Sequence, residues 1–326
     1  MFKLKILFLS TFFVTVISFS CRHNNRITKI TANRKGIITD PELKNLVDHL
    51  NSVLSIYDTL SIFEEYKEGE LGIPRSYLDS NSEENTTEKI GMMSGSVPIN
   101  YYQTIIGNYL HAILTNRHIS DYHLEDILNE KYISIAYSED HRLYDLIIDE
   151  KTGGSYKSNI SFIHYRSQDG KLYNYSNDWS AADTIFAGDG YGLIKLLKTS
   201  HGTKYLLQGS VTTCNTCVRN YILLVYFEHG VFKSDWDYSL DGRDYHSPDD
   251  DTSNYFVFDD QTKTVIIKYK TDDLTTECTC GINAKQTAET DTTTGPDTLV
   301  EDDKKLYGKP CQCIFQFNGD TFVPIK

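Results

Sequence analysis

At 326 residues with 40% hydrophobic side chains, the chain is long enough to bury a sizeable core and is no disulfide-dependent mini-scaffold. Its formal charge of −13, with no cluster of Lys and Arg anywhere, argues against nucleic acid and against a polybasic membrane surface. An excess of acid is otherwise an ordinary route to solubility.

The N-terminus reads as an address. Lys3 and Lys5 form a short basic region, Ile6 to Phe19 is an uncharged apolar and hydroxyl run, and Ser18-Phe19-Ser20 places small residues at −3 and −1 before Cys21. The run is too short to span a bilayer comfortably and is followed by polar Arg22-His23-Asn24-Asn25-Arg26. This pattern resembles the lipobox signal of bacterial lipoproteins, in which the Cys is acylated and becomes the first mature residue. The resemblance implies lipidation at Cys21, contact with the bilayer through that lipid, and an extracytoplasmic place in the bacterial cell envelope, at the outer or the cytoplasmic membrane. Removing residues 1–20, which hold two Lys and no acid, leaves 306 residues with a formal charge of −15. Residues 21–39 read as a polar tether.

Asp40-Pro41-Glu42 is a strong helix start, and the apolar stripe Leu43, Leu46, Val47, Leu50, Val53, Leu54, Tyr57, Leu60, Phe63 predicts one core-facing helix to about Tyr66. Gly69 to Ser96, including SNSEENTTEK, reads as a long loop. Helical spacing returns at Tyr101, Ile105, Ile106, Leu110, Ile113 and Leu114, and Ser120-Asp121 is expected to cap a short third helix carrying Leu124, Ile127 and Leu128. These segments give a helical region over 40–130.

After Lys131, alternating Tyr, Ile, Val and Phe in short runs separated by Gly, Asp and Asn turns predict a β-rich domain over 131–326. Strands are expected near 132–138, 142–149, 156–166, 171–175, 192–198, 203–212, 219–228, 231–236, 254–258, 263–269, 311–318 and 321–325, joined by tight turns such as Gln168-Asp169-Gly170 and Glu228-His229-Gly230. Connections this short imply antiparallel neighbours. The stretch HRLYDLIIDEKTGGSYKSNISFIHY is similar to a type of exported bacterial protein; it covers less than a tenth of the chain and implies no activity. The fold class expected is α+β and β-dominated: helices packed on an antiparallel meander forming a sandwich or open barrel, with an irregular β-propeller as the alternative. Gly170, Gly230 and Gly319 show no fixed period, which disfavours the propeller. Residues 239–254 read as an acidic loop, and 282–305 as a mobile Thr/Asp-rich insertion.

Six cysteines follow Cys21 in three close pairs: Cys214 and Cys217, Cys278 and Cys280, Cys311 and Cys313. In an exported chain an even count reads as disulfides, with structural zinc as the rival and catalytic thiol exchange weaker still. Opposed residues in an antiparallel ladder have a constant sum, and 278 with 313 and 280 with 311 share one. Both bridges therefore fit a single register, leaving Cys214 with Cys217. Asp237, Ser239 and Asp241 before Gly242 are a weak calcium candidate, because position 12 is Pro248 where a Glu would be needed. Gly188-Asp189-Gly190-Tyr191-Gly192 precedes a strand and so lacks the helix N-terminus of a phosphate loop. The 23 tyrosines, with Trp179 and Trp236, could form a ligand platform but suit strands and cores equally.

No GxSxG, HExxH or Walker lysine motif occurs, so no catalytic residue, cofactor or metal beyond that calcium candidate is assigned, and scattered His, Asp and Glu do not assemble into a site by sequence alone. The function expected is an envelope lipoprotein with a non-catalytic binding role toward a protein or polymer partner. The alternatives are an extracytoplasmic hydrolase of envelope or extracellular polymers and an anti-toxin or inhibitor-type lipoprotein.

Overall fold

The Asp40 side chain accepts a hydrogen bond from Leu43 N (2.7 Å), and with Pro41 in the first turn it opens helix α1 (Pro41–Asp58), as its sequence dictates. The computed structural model describes residues 36–80, 90–176, 185–186, 189–214, 217–243, 255–271, 279–280 and 309–325. The signal, Cys21, most of the tether, the SNSEENTTEK loop beyond Ser80 and the 282–305 insertion lie outside them. Among the described residues no helix is long and apolar enough to cross a membrane.

Helix α1 stops eight residues before the expected end. Thr59 and Leu60 N–H groups turn back onto the carbonyls of Ile56 and Tyr57, and the chain enters strand β1 (Glu65–Lys67). The apolar stripe continues through the turn, but Phe63 at its end is 77% exposed. Helix α2 (Arg75–Ser80) and strand β2 (Met92–Ser94) follow within the expected loop, β2 pairing with β1. Helix α3 (Ser96–Leu114) lies beside α1. Helix α4 (Leu124–Ile127) starts after His123, while Ser120 and Asp121 fall in a preceding 3-10 turn.

The remaining strands form three antiparallel sheets, the first two of them meanders and the third with β14 between β12 and β13, so the chain is α+β and β-dominated. The first contains β3 (Ser134–Tyr137), β4 (Leu143–Asp149), β5 (Asn159–Arg166) and β6 (Leu172–Ser176), in that order. The second contains β7 (Leu193–Thr199), β8 (Gly202–Cys214), β9 (Cys217–Glu228) and β10 (Val231–Arg243). The third contains β11 (Tyr255–Asp259), β12 (Thr264–Thr271), β13 (Thr279–Cys280), β14 (Lys309–Phe317) and β15 (Phe322–Pro324). Strand β10 runs through 239–243, expected to be loop, because the long β9 offers Cys217 to Tyr221 as pairing partners for Ser239 to Arg243.

Period-2 alternation decides the stacking. Tyr144, Leu146 and Ile148 of β4 join Leu43, Leu50, Ile106 and Ile113 of α1 and α3 in one core. Leu143, on the other face of β4, joins Ile163 and Tyr165 of β5 against Tyr205, Leu207 and Val225 of the second sheet. The far side of that sheet packs Leu206, Ile222 and Leu224 on Val265, Ile267 and Phe315 of the third. The layers are therefore helices, sheet, sheet, sheet, a sandwich-type stack. Covering the outer face of the first sheet with helices leaves it no blade-like neighbour there, unlike a propeller. Each fully buried Leu or Ile in these cores contributes about 1.5–3 kcal/mol.

Candidate functional site

At one end of the first sheet the ladder aligns Tyr137 with Tyr144, Tyr144 with His164 and His164 with Asn174, one residue from each of four strands on the helix-facing side. His164 is 5% exposed and its Nδ1 lies 2.7 Å from Asn174 Oδ1; burial depresses its pKa below the ordinary histidine value. Burial and the Glu125 charge push the Tyr144 phenol well above its ordinary range, so it remains a protonated donor.

Above this row, α4 and its preceding residue bring in His123 and Glu125, and the turn between β3 and β4 brings in His141. Nδ1 of His141 is 2.8 Å and Nδ1 of His123 is 3.4 Å from the same Glu125 oxygen, Oε1. The two imidazole centroids are 4.1 Å apart, and Tyr137 stacks on His141 at 5.1 Å and 20°. Exposure falls across the three side chains from 51% for His123 through 31% for His141 to 12% for Glu125, so the cluster opens to solvent on one side. Glu125 Oε2 is buried with no partner at hydrogen-bond geometry; the Tyr144 hydroxyl, 3.4 Å from His141 Nδ1, interacts with the Glu125 side chain by charge and by hydrogen bonding.

The turn that aims His141 is tightly held. Asp140 Oδ1 accepts from Ser138 Oγ (2.6 Å) and Arg142 N (3.3 Å), and Asp140 Oδ2 accepts from Tyr205 Oη (3.0 Å). His141 itself takes a left-handed backbone conformation, φ 51°, and its N–H donates to Ser138 O at 2.9 Å. Nitrogen and oxygen donors converging from two secondary elements can hold a cation or shuttle a proton.

On the opposite face of β4, Asp145 is fully buried and accepts from Ser161 Oγ (2.7 Å) and from Tyr191 N. Burial raises its pKa to about 7 despite those donors. The segment expected not to bind phosphate is used for packing: Gly190 has φ 102°, Ile147 lies where its Cβ would go, and its carbonyl accepts from Tyr221 Oη at 2.6 Å. Next to it, Asp189 has its pKa raised to about 6 by burial and by Glu150, and its Oδ2 is buried without a hydrogen-bond partner.

The residues singled out from sequence fall elsewhere. Asp237 and Ser239 are exposed on β10, and Asp241 continues the same strand. Alternate positions of an extended chain step about 6.5 Å apart along one face. They cannot curl around one ion as a calcium loop does, so this part of the acidic loop is strand. Cys280 stands opposite Cys311 and Thr279 opposite Gln312, and Cys214 stands opposite Cys217. Cys313 is buried, with the Tyr238 hydroxyl 3.7 Å from its Sγ; Cys278 and Cys21 lie outside the described residues. Trp236 packs on Phe315 and Phe322 at 5.2 and 4.9 Å, and buried Tyr165, Tyr191 and Tyr205 are core, so these aromatics form no platform; Trp179 lies outside the described residues.

Sequence reasoning missed His123, Glu125 and His141. The available signal was a His-x-Glu followed by a His after a strand and turn, a pattern too common to stand alone. No family model, curated protein or solved structure matches the chain.

Proposed function

We propose that the protein is a lipid-anchored, extracytoplasmic protein of the bacterial cell envelope with a binding role. Its bilayer contact is lipid on Cys21, and its cysteines are disulfide-bonded, Cys278 to Cys313, Cys280 to Cys311 and Cys214 to Cys217. The register that sets Cys280 against Cys311 supports this pairing, and an oxidising compartment suits an exported chain. The observation that carries the binding role is a groove whose lining includes Leu60, Ile62, Phe63, Asp149, Lys151 and Lys157, with Phe63 77% exposed at its edge. A large exposed aromatic flanked by two cations and one acid is a surface suited to a protein or polymer partner.

Mass spectrometry should find Cys21 acylated and N-terminal, and an unmodified internal Cys21 would remove the anchor. A photo-crosslinker at position 63 in intact cells should capture a discrete envelope partner that Lys151→Glu weakens. Recovery no greater than from a crosslinker at His229, which is equally exposed, would end the binding reading.

One observation favours a hydrolase instead: Asp189 lies close enough to Glu150 for that charge to raise its pKa, and its Oδ2 is buried without a hydrogen-bond partner. Cleavage of an envelope polymer that is abolished in Asp189→Asn, with the fold intact, would favour it.

A further inference from the structure

The Glu125 carboxylate is unevenly used. Its Oε1 faces two imidazole nitrogens, while Oε2 is buried with no hydrogen-bond partner. Buried carboxylate oxygens left unpaired are costly and rare, and a missing ion is one of the ordinary explanations for them. One ligand atom from each of His123, Glu125 and His141 can be chosen so that all three lie within 4.8 Å of one another. Ligands bound to zinc at about 2.0–2.1 Å in tetrahedral geometry stand roughly 3.4 Å apart. The His123 to Glu125 separation, 3.4 Å, already matches that value, and the His141 to Glu125 pair, 2.8 Å apart at hydrogen-bond distance, would open slightly around an ion.

We propose that His123, Glu125 and His141 form a three-ligand site for a divalent transition metal ion of the zinc class, with water completing the coordination. Two imidazoles and one carboxylate are a borderline donor set that suits Zn²⁺, Cu²⁺ or Ni²⁺, whereas Ca²⁺ and Mg²⁺ require mainly oxygen ligands. The ligands are prepared unequally. His141 is fixed by the Ser138–Asp140–Tyr205 hydrogen bonds, by its own backbone bond and by the stacked Tyr137 ring. Glu125 is nearly buried and held by α4. His123 is half-exposed and is the ligand free to swing in as the ion arrives. The solvent-facing side is the one on which His123 and Tyr137 are exposed, and three protein ligands with an open position are the arrangement that exchanges its fourth ligand. The site does not depend on the lipid anchor or on the groove at Phe63.

The test uses the full-length protein in detergent, treated with chelator and titrated with Zn²⁺ against a chromophoric competitor, with Co²⁺ as a spectroscopic substitute. The expected result is one Zn²⁺ per chain, bound at micromolar strength or tighter and not displaced by millimolar Ca²⁺ or Mg²⁺. The Co²⁺ form should show visible d–d bands without thiolate charge-transfer absorption, which separates this site from the cysteines. Glu125→Gln and His141→Ala should each weaken binding by about tenfold or more. His123→Ala should do the same with melting in chelator unchanged, because this side chain makes no capping hydrogen bond to α4. That variant keeps the test valid if the other two fail to fold. Binding weaker than millimolar, binding unchanged in His123→Ala, or a thiolate charge-transfer band on the bound Co²⁺ would overturn the proposal.

Discussion

Tyr144 and Asp145 are consecutive on β4, and the pleat sends them to different layers. Around Asp145, on the side of the second sheet, each carboxylate oxygen receives a donor, one from Ser161 and one from Tyr191 N–H. Around Tyr144, on the helix side, the polar groups keep spare capacity: Glu125 Oε2 has no partner, and His123 and His141 point at one oxygen. A network whose bonds are all internal fastens two sheets together and has nothing left for a ligand. One with unused lone pairs beside solvent is where a ligand can be accommodated. The contrast separates structural from functional polar groups on a single strand, where burial alone would not, since Asp145 and His164 are both buried.

Removing the fastened group should have the largest effect. Asp145→Ala removes the carboxylate that accepts from Ser161 Oγ and Tyr191 N and loosens the segment at Gly190, so stability to urea should fall by about 3–5 kcal/mol. A loss below about 1 kcal/mol would mean that water or a neighbour replaces the carboxylate, and that the Asp145 side is no more structural than the Tyr144 side.

The next effect is a pH slope. The folded pKa of Asp145 is raised to about 7, against about 3.9 in an unfolded chain. Between those values the folded state binds more protons than the unfolded state, so this group makes stability fall as pH rises from about 4 to about 7, with no further change above. The total is on the order of a few kcal/mol. Asp145→Asn mimics the protonated acid and should remove this falling limb while remaining close to wild type at pH 4. An unchanged slope in denaturation curves across that range would show that Asp145 is already ionised in the fold.

Much of the scaffold behind this comparison is legible in the sequence. Asp40-Pro41-Glu42 specifies its helix start because capping is local, and the alternation in residues 143–149 and 159–166 specifies strands because burial on a sheet has period 2. Even the register of β13 on β14 could be derived, since two CxC pairs share one sum and Cys280 does face Cys311. The candidate site could not be read this way. Its floor takes one residue from each of β3 to β6, and its ligands come from α4 and from a turn whose left-handed His141 is set by Asp140 and Tyr205. Each of these contacts depends on tertiary placement. The loop expected from Ser239 onward was misread for the complementary reason: its first residues, through Arg243, are captured by pairing with β9.

The smallest effect lies on the helix side, with the opposite sign. His164 Nδ1 and Asn174 Oδ1 are 2.7 Å apart, and burial lowers the His164 pKa below the unfolded value of about 6.5. Between the folded pKa and about 6.5 the unfolded state binds more protons, so this group makes stability rise with pH and is a source of acid sensitivity. Asn174→Ala leaves the ring N–H without its acceptor but on the partly exposed edge strand, where water can reach it, so the loss at pH 8 should be about 1 kcal/mol. Because the Asn174 bond favours the protonated ring, its removal should lower the His164 pKa further and deepen the loss of stability below pH 6.5. Titration of the His164 ring protons by NMR, alongside urea denaturation at pH 5 and pH 8, reads both quantities. A variant whose ring titrates at a higher pH than wild type, or one that loses more stability than Asp145→Ala, would show that the fastened network is the one facing the helices.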